Sequence, residues 1–143
     1  MNITEITSPK TQAAVRLRLA PYCRVSSDSA DQLHSFAAQI RYYSDYAKKH
    51  PEYQLVDIYA DEGITGTEMK KRDELKRLIA DCKKGKVDRI IVKSVSRMAR
   101  NTEELLVMIR MFKDIGVGVY FEEQGIDTEK LNMEMIVTFP GMA

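Results

Sequence analysis

Ser26 follows Arg24 by two residues in the run Tyr22-Cys23-Arg24-Val25-Ser26, and that spacing is the first chemical signal in the chain. A strand has a side-chain period of two, so Tyr22, Arg24 and Ser26 project to one side while Cys23 and Val25 project to the other. The first side is expected to be polar and reactive, the second to belong to a core. Three more arginines are candidates to join them: Arg72, Arg97 and Arg100. A guanidinium keeps its charge at neutral pH, and its fork of donors matches phosphate oxygens two at a time. It is a poor base, but it holds a phosphoryl group and stabilises charge that grows on the equatorial oxygens during in-line attack. A serine hydroxyl among four such groups implies phosphoryl transfer to serine. On Tyr22 to Ser26 alone, a buried strand end followed by a Ser-Ser-Asp turn competes with that reading. Ser27, the neighbouring hydroxyl, faces away from Arg24 by strand parity and reads as a turn residue.

Other chemistries fit the sequence less well. A Ser-His-Asp hydrolase needs a histidine near the serine, and His34 and His50 fall at the two ends of one expected helix. Neither has a Cys or carboxylate at ligand spacing, so no metal site is expected. No Gly-rich loop ends in Gly-Lys-Ser or Gly-Lys-Thr, so no nucleotide is expected either, and covalent catalysis without a cofactor remains. Cys23 and Cys82 have no short spacing between them and read as buried, reduced thiols. No run approaches a membrane span, and the polar start lacks the apolar core of a signal peptide, which points to a cytoplasmic chain.

The elements that must position these groups follow from the pattern of apolar residues. At 143 residues and 44% hydrophobic, the chain suits one compact domain. Residues 1–15 read as a loose polar lead-in. A first strand is expected over 16–24, and a helix over 33–49 with Leu33, Phe36, Ala37, Ile40, Tyr43, Tyr46 and Ala47 on its packed face. A second strand spans 53–60 and exits into a glycine-bearing loop, from which Arg72 opens a helix with Leu75, Leu78, Ile79 and Cys82 inward. Gly85 closes that helix. A third strand over 87–92 exits into a polar loop over 93–100. Asn101 or Thr102 then caps a helix that runs to Ile115, with Glu103 and Glu104 in its first turn where the dipole favours them and Gly116 as its stop; a fourth strand covers 117–121, and 125–128 turns into a Met-rich helix that Pro140 kinks or ends. Strands alternating with helices imply an α/β fold: a mainly parallel sheet of four to five strands with helices on both faces. The ligand crevice of such sheets lies beyond the carboxyl ends of the strands. Ser26, Arg72 and the stretch from Lys93 to Arg100 all follow strands, so they are expected to share one edge.

Charge is distributed unevenly along the chain. The net charge is +1, yet residues 70–100 hold twelve basic and four acidic side chains, against seven and nine before them and three and eight after. That block is either a pair of solvated helix faces or a phosphate-facing patch. Lys83, Lys84 and Lys86 read as a solvated helix end.

These residues resemble the catalytic domain of the serine recombinases, the resolvase and invertase family, and are more similar to its large, integrase-type members than to the small resolvases. The resemblance covers about residues 19–138. It is carried by Tyr22, Arg24, Val25 and Ser26 on the nucleophile strand and by Gln32, Ser35 and Gln39 on the first helix. Asp61, Gly63, Thr65, Gly66 and Arg72 match the second-strand exit, and Ser96-Arg97 with Arg100-Asn101 matches the paired arginines. The resemblance implies a resolvase-type fold over 16–130, with 131–143 beginning a C-terminal helix. It also implies cleavage of double-stranded DNA through a 5′-phosphoserine at Ser26, and strand exchange by subunit rotation in a tetramer assembled from dimers.

Arg24, Arg72, Arg97 and Arg100 would hold the scissile phosphate. Tyr22, Gln39 and Ser96 would support the pocket, and Lys71, Lys93 and Arg97 would meet the DNA. Ser96 stands where small resolvases carry an aspartate, and the loop from Ser26 to Gln39 is longer than theirs. No zinc-ribbon cysteines or helix-turn-helix follow, so a truncated catalytic domain that binds DNA weakly is expected. Two other classes stay open: a non-catalytic oligomerisation or DNA-docking domain on the same fold, and a small-molecule phosphatase on a flavodoxin-like sheet.

Overall fold

Nine consecutive residues, Leu17–Val25, form the central strand β1, and seven of them are buried. The computed structural model describes residues 16–63 and 72–131. After β1 come α1 (Phe36–Lys49), β2 (Tyr53–Leu55), β3 (Tyr59–Glu62), α2 (Asp73–Lys83), β4 (Arg89–Val92), α3 (Val95–Met98), α4 (Thr102–Asp114), β5 (Gly118–Phe121) and β6 (Ile126–Asp127), with a 3-10 turn at Thr128–Lys130. The fold is mixed α/β, built on a six-stranded sheet. β1 pairs in parallel with β2 and β3 on one side and with β4 on the other; β5 extends the parallel part, and β6 closes it antiparallel.

Six strands replace the expected four to five for two reasons. The stretch 53–60 is two strands, because Leu19 pairs with Leu55 and Tyr22 with Tyr59, so two residues of β1 face three of its neighbour. This bulge lies opposite Pro21, whose missing N–H makes a continuous ladder there hard to keep. The segment after Gly125 is the second correction. Instead of turning directly into a helix, it folds back as β6, with Gly125 at φ +64° making the turn. The Met-rich segment and Pro140 lie outside the described residues.

Side-chain alternation along β1 builds two cores. Leu19, Cys23 and Val25 pack with Tyr43 and Ile91 beneath α1. Ala20 and Tyr22 pack with Leu75, Leu78, Ile90, Leu105 and Phe112 beneath α2 and α4. Both sides of β1 are buried, the side expected to be reactive included: Arg24, at 3% exposure, is as buried as Cys23 and Val25. On α1, Tyr43 is the buried residue and Phe36 and Ile40 are open to solvent, while Leu33, 81% exposed, lies before the helix. The helix begins at Phe36 because the Ser35 side chain caps it, accepting from the Ala38 amide at 3.1 Å. The expected polar loop over 93–100 is in part the short helix α3, since Val95 and Met98 are spaced to bury one face over the sheet.

Candidate active site

Because β1, β3 and β4 run in parallel, their carboxyl ends open on one edge. Ser26 is the first residue beyond β1. Its amide donates to the His34 carbonyl at 2.8 Å, and its Oγ accepts from the Asp28 amide at 3.1 Å, so the loop folds back on the hydroxyl. Ser27 is exposed.

Arg24 is held from two sides. Its Nε donates to the Gly63 carbonyl at 2.8 Å, where Gly63 takes φ +113°, and its Nη1 lies 3.4 Å from the Tyr22 hydroxyl. That hydroxyl donates to Asp61 Oδ2 at 2.7 Å. Burial, reinforced by Asp61 and opposed by Arg24, pushes the Tyr22 phenol up to about 12. Asp61 also accepts from the Glu74 and Leu75 amides at 2.9 and 3.1 Å. It thus caps α2 from a neighbouring strand, a role that Arg72 at the N-cap does not fill with its own side chain.

A cleft of about 200 Å³ opens at this edge, lined by Tyr22, Arg24, His34, Gln39, Lys93 and Arg97 among others. Two of the four expected arginines share that wall, as do Tyr22, Gln39 and Lys93. Arg97 Nη1 is buried and has no hydrogen-bond partner. A buried guanidinium N–H without a partner is costly, and an anion in the cleft would satisfy it.

Arg72 and Arg100 gather instead on Glu104. Arg72 Nη1 lies 3.0 Å from Glu104 Oε1, its Nη2 donates to the Met98 carbonyl, and its Nε is a second buried group without a partner. The Arg100 amide donates to Glu104 Oε1 at 2.7 Å, and its Nε lies 3.8 Å from Oε2. Burial raises the Glu104 carboxyl, but the Arg100 amide and the Arg72 guanidinium outweigh it and hold the group below its ordinary range. Ser96 is exposed, with its Oγ 3.2 Å from that of Ser94. Ser26 and Ser96 are not among the cleft-lining residues, and Lys71 lies outside the described residues.

Sequence reasoning gave Glu104 only a dipole role at the helix start. The available signal was Asn101 followed three residues later by Glu104, the capping-box spacing. Asn101 does cap α4, accepting from the Glu104 amide at 2.8 Å, while the Glu104 carboxylate reaches back past the cap to Arg100 and Arg72. Glu122 was also missed. It accepts from the Tyr42 and Tyr43 hydroxyls at 2.6 and 2.8 Å and ties α1 to the end of β5. Among the described residues no group of three His, Cys, Asp or Glu side chains is placed to hold a metal ion, and no helix is long and apolar enough to cross a membrane.

The family model of the resolvase N-terminal domain matches residues 19–142. The chain belongs to that family. A resolvase/recombinase of Pseudomonas putida is 30% identical over 122 residues, which are 85% of this chain and 60% of that protein. The chain therefore spans less than two thirds of that relative's length. Among solved structures, the N-terminal catalytic domain of TP901-1 integrase superposes with a TM-score of 0.69 at 25% identity, over 85% of this chain and 89% of that one. A resolvase family site-specific recombinase from Streptococcus pneumoniae gives the same TM-score at 28% identity, over 86% and 84%. The resolvase fold expected from the sequence is thus shown, integrase-type relatives included.

Proposed function

We propose that this resolvase-family chain is the catalytic domain of a site-specific DNA recombinase, and that it cuts and rejoins double-stranded DNA through a phosphoserine at Ser26. Family membership supports the reaction class. The observation that carries the chemistry is the cleft shared by Arg24 and Arg97 at the exit of the Ser26 strand, with a buried Arg97 N–H that has no partner.

In this reading the scissile phosphate enters the cleft and takes up the Arg97 donor, with Arg24 fixed behind it by Gly63 and Tyr22. Charge that grows on the phosphoryl oxygens during attack meets donors already in position. Ser26 Oγ attacks in line, the phosphorus keeps its bond to the 5′ side, and the 3′ oxygen leaves. The bond energy stays in the phosphoserine, so the released 3′ hydroxyl of a new partner can attack it in turn without metal or nucleotide. Arg72 and Arg100 hold the far side of the phosphate, which requires that they turn from Glu104 when DNA binds. Lys71, Lys93 and Arg97 meet the flanking backbone, Gln39 and Ser96 shape the pocket, and dimers pair into a rotating tetramer.

The test uses the full-length protein and nicked duplexes taken from DNA flanking its own gene. Ser26→Ala is expected to abolish detergent-stable capture of DNA, while Ser27→Ala retains it. Equal capture by both variants would refute the assignment.

A further inference from the structure

The cleft is rich in cations and poor in groups able to carry a proton near neutral pH. Its walls include Tyr22, Cys23, Arg24, Tyr43, Lys93 and Arg97. Burial pushes Tyr22 and Cys23 each up to about 12, and it moves Tyr43 further in the same direction.

His34 brings an imidazole to that wall, and it is built into the Ser26 loop. Its Nδ1 lies 3.0 and 3.1 Å from the two Asp31 oxygens, and its amide donates to Asp31 Oδ1 at 3.1 Å. Its carbonyl accepts the Ser26 amide. Ser26 Oγ already accepts from the Asp28 amide, which leaves its own hydrogen to be donated. Partial desolvation raises the Asp31 carboxyl, but the hydrogen bonds from His34 outweigh this and hold it below its ordinary range.

Resting on the recombinase reading above, we propose that Asp31 and His34 form the proton-donating dyad of the transfer, Asp31 fixing the imidazole and His34 serving the leaving oxygen. Ser26 Oγ forms its bond to phosphorus as the bond from phosphorus to the 3′ oxygen breaks. The serine proton passes to water, and protonated His34 gives its Nε2 proton to the departing 3′ oxygen while Nδ1–H stays on Asp31. His34 Nε2 then takes a proton from water, which restores the pair. Resealing runs the same steps backwards, so no proton is gained or lost overall. A carboxylate that fixes an imidazole through Nδ1 leaves Nε2 as the nitrogen for substrate.

The experiment follows single-turnover formation of the Ser26 adduct by the full-length protein on two nicked duplexes, one with the ordinary bridging 3′ oxygen and one with sulfur in its place. Sulfur leaves without being protonated. His34→Ala is expected to slow the oxygen substrate about 100-fold and the sulfur substrate less than about threefold, because only the first needs an acid. Asp31→Asn, which loosens the imidazole, is expected to slow the oxygen substrate more than the sulfur substrate. The Ser26 amide bonds to a backbone carbonyl, so it survives the histidine change, and unchanged DNA binding and unfolding midpoints verify that the variants fold. Equal slowing of both substrates by His34→Ala, or no slowing with oxygen, overturns the dyad and leaves Ser26 chemistry standing. If the unsubstituted protein forms no Ser26 adduct with either duplex, the recombinase reading falls and takes the dyad with it.

Discussion

The Tyr22 hydroxyl stands between a guanidinium and a carboxylate, 3.4 Å from Arg24 and 2.7 Å from Asp61, in a site 1% exposed to solvent. Removing the hydroxyl leaves Asp61 short of a donor and frees Arg24 to shift. Tyr22→Phe is therefore expected to cost about 1–3 kcal/mol, read as a lower urea midpoint with an unchanged slope. The alternation of Tyr22, Arg24 and Ser26 was legible in the sequence because period two is intrinsic to a strand. What period two does not encode is burial: the side expected to be polar and reactive is buried too, with Arg24 held by Gly63 and Tyr22 at the edge of the cleft. Glu104 was illegible for a different reason. Its local signal, the spacing from Asn101, explains the helix end completely, and nothing local reveals that Arg72 lies across the gap.

Helix termini decide how the site residues on the strand exits are presented. Asn101 caps α4 with its side chain and so sets the position of Glu104, on which Arg72 and Arg100 converge. Asn101→Ala is expected to cost about 1 kcal/mol of stability, measurable by thermal unfolding. Element order and the parallel sheet followed from strand and helix periods, and the helix stops at Gly85 and Gly116 are where the sequence put them, with φ of +77° and +78°. Three features did not follow. One extra residue opposite Pro21 splits a strand without disturbing its apolar run. Leu33, Phe36 and Ile40 share a helical spacing, but spacing says only which residues share a face, not whether another element covers it. In α3, Ser96 and Arg97 mask the three-residue interval from Val95 to Met98.

Across the whole molecule, the basic block of residues 70–100 is divided rather than pooled. Arg77 is engaged by Asp57 and Glu74 and stacks 4.0 Å over the Tyr59 ring; Arg89 is engaged by Asp127 and Glu129; Lys83, Lys84 and Lys86 are exposed around the end of α2. Lys93, Arg97 and Arg100 remain near the strand exits. Carboxylates also staple distant segments. Asp88 pairs with Arg18, which holds its carboxyl below the ordinary range against a smaller opposing effect of burial, and Glu104 is lowered by its own arginine contacts. A depressed carboxyl contributes stability above its unfolded value that disappears as pH falls through the folded one. The unfolding temperature is thus expected to hold from about pH 8 to about pH 5 and to drop below about pH 4, with Asp88→Asn flattening part of that acid limb. The central claim concerns one bond, and strand-specific end labelling of the captured DNA tests it most directly. The account predicts that the 3′-labelled segment becomes linked to a peptide containing Ser26, while the 5′-labelled segment is released with a 3′ hydroxyl that a polymerase can extend. A link through a 3′ phosphate, or a peptide without Ser26, would contradict it.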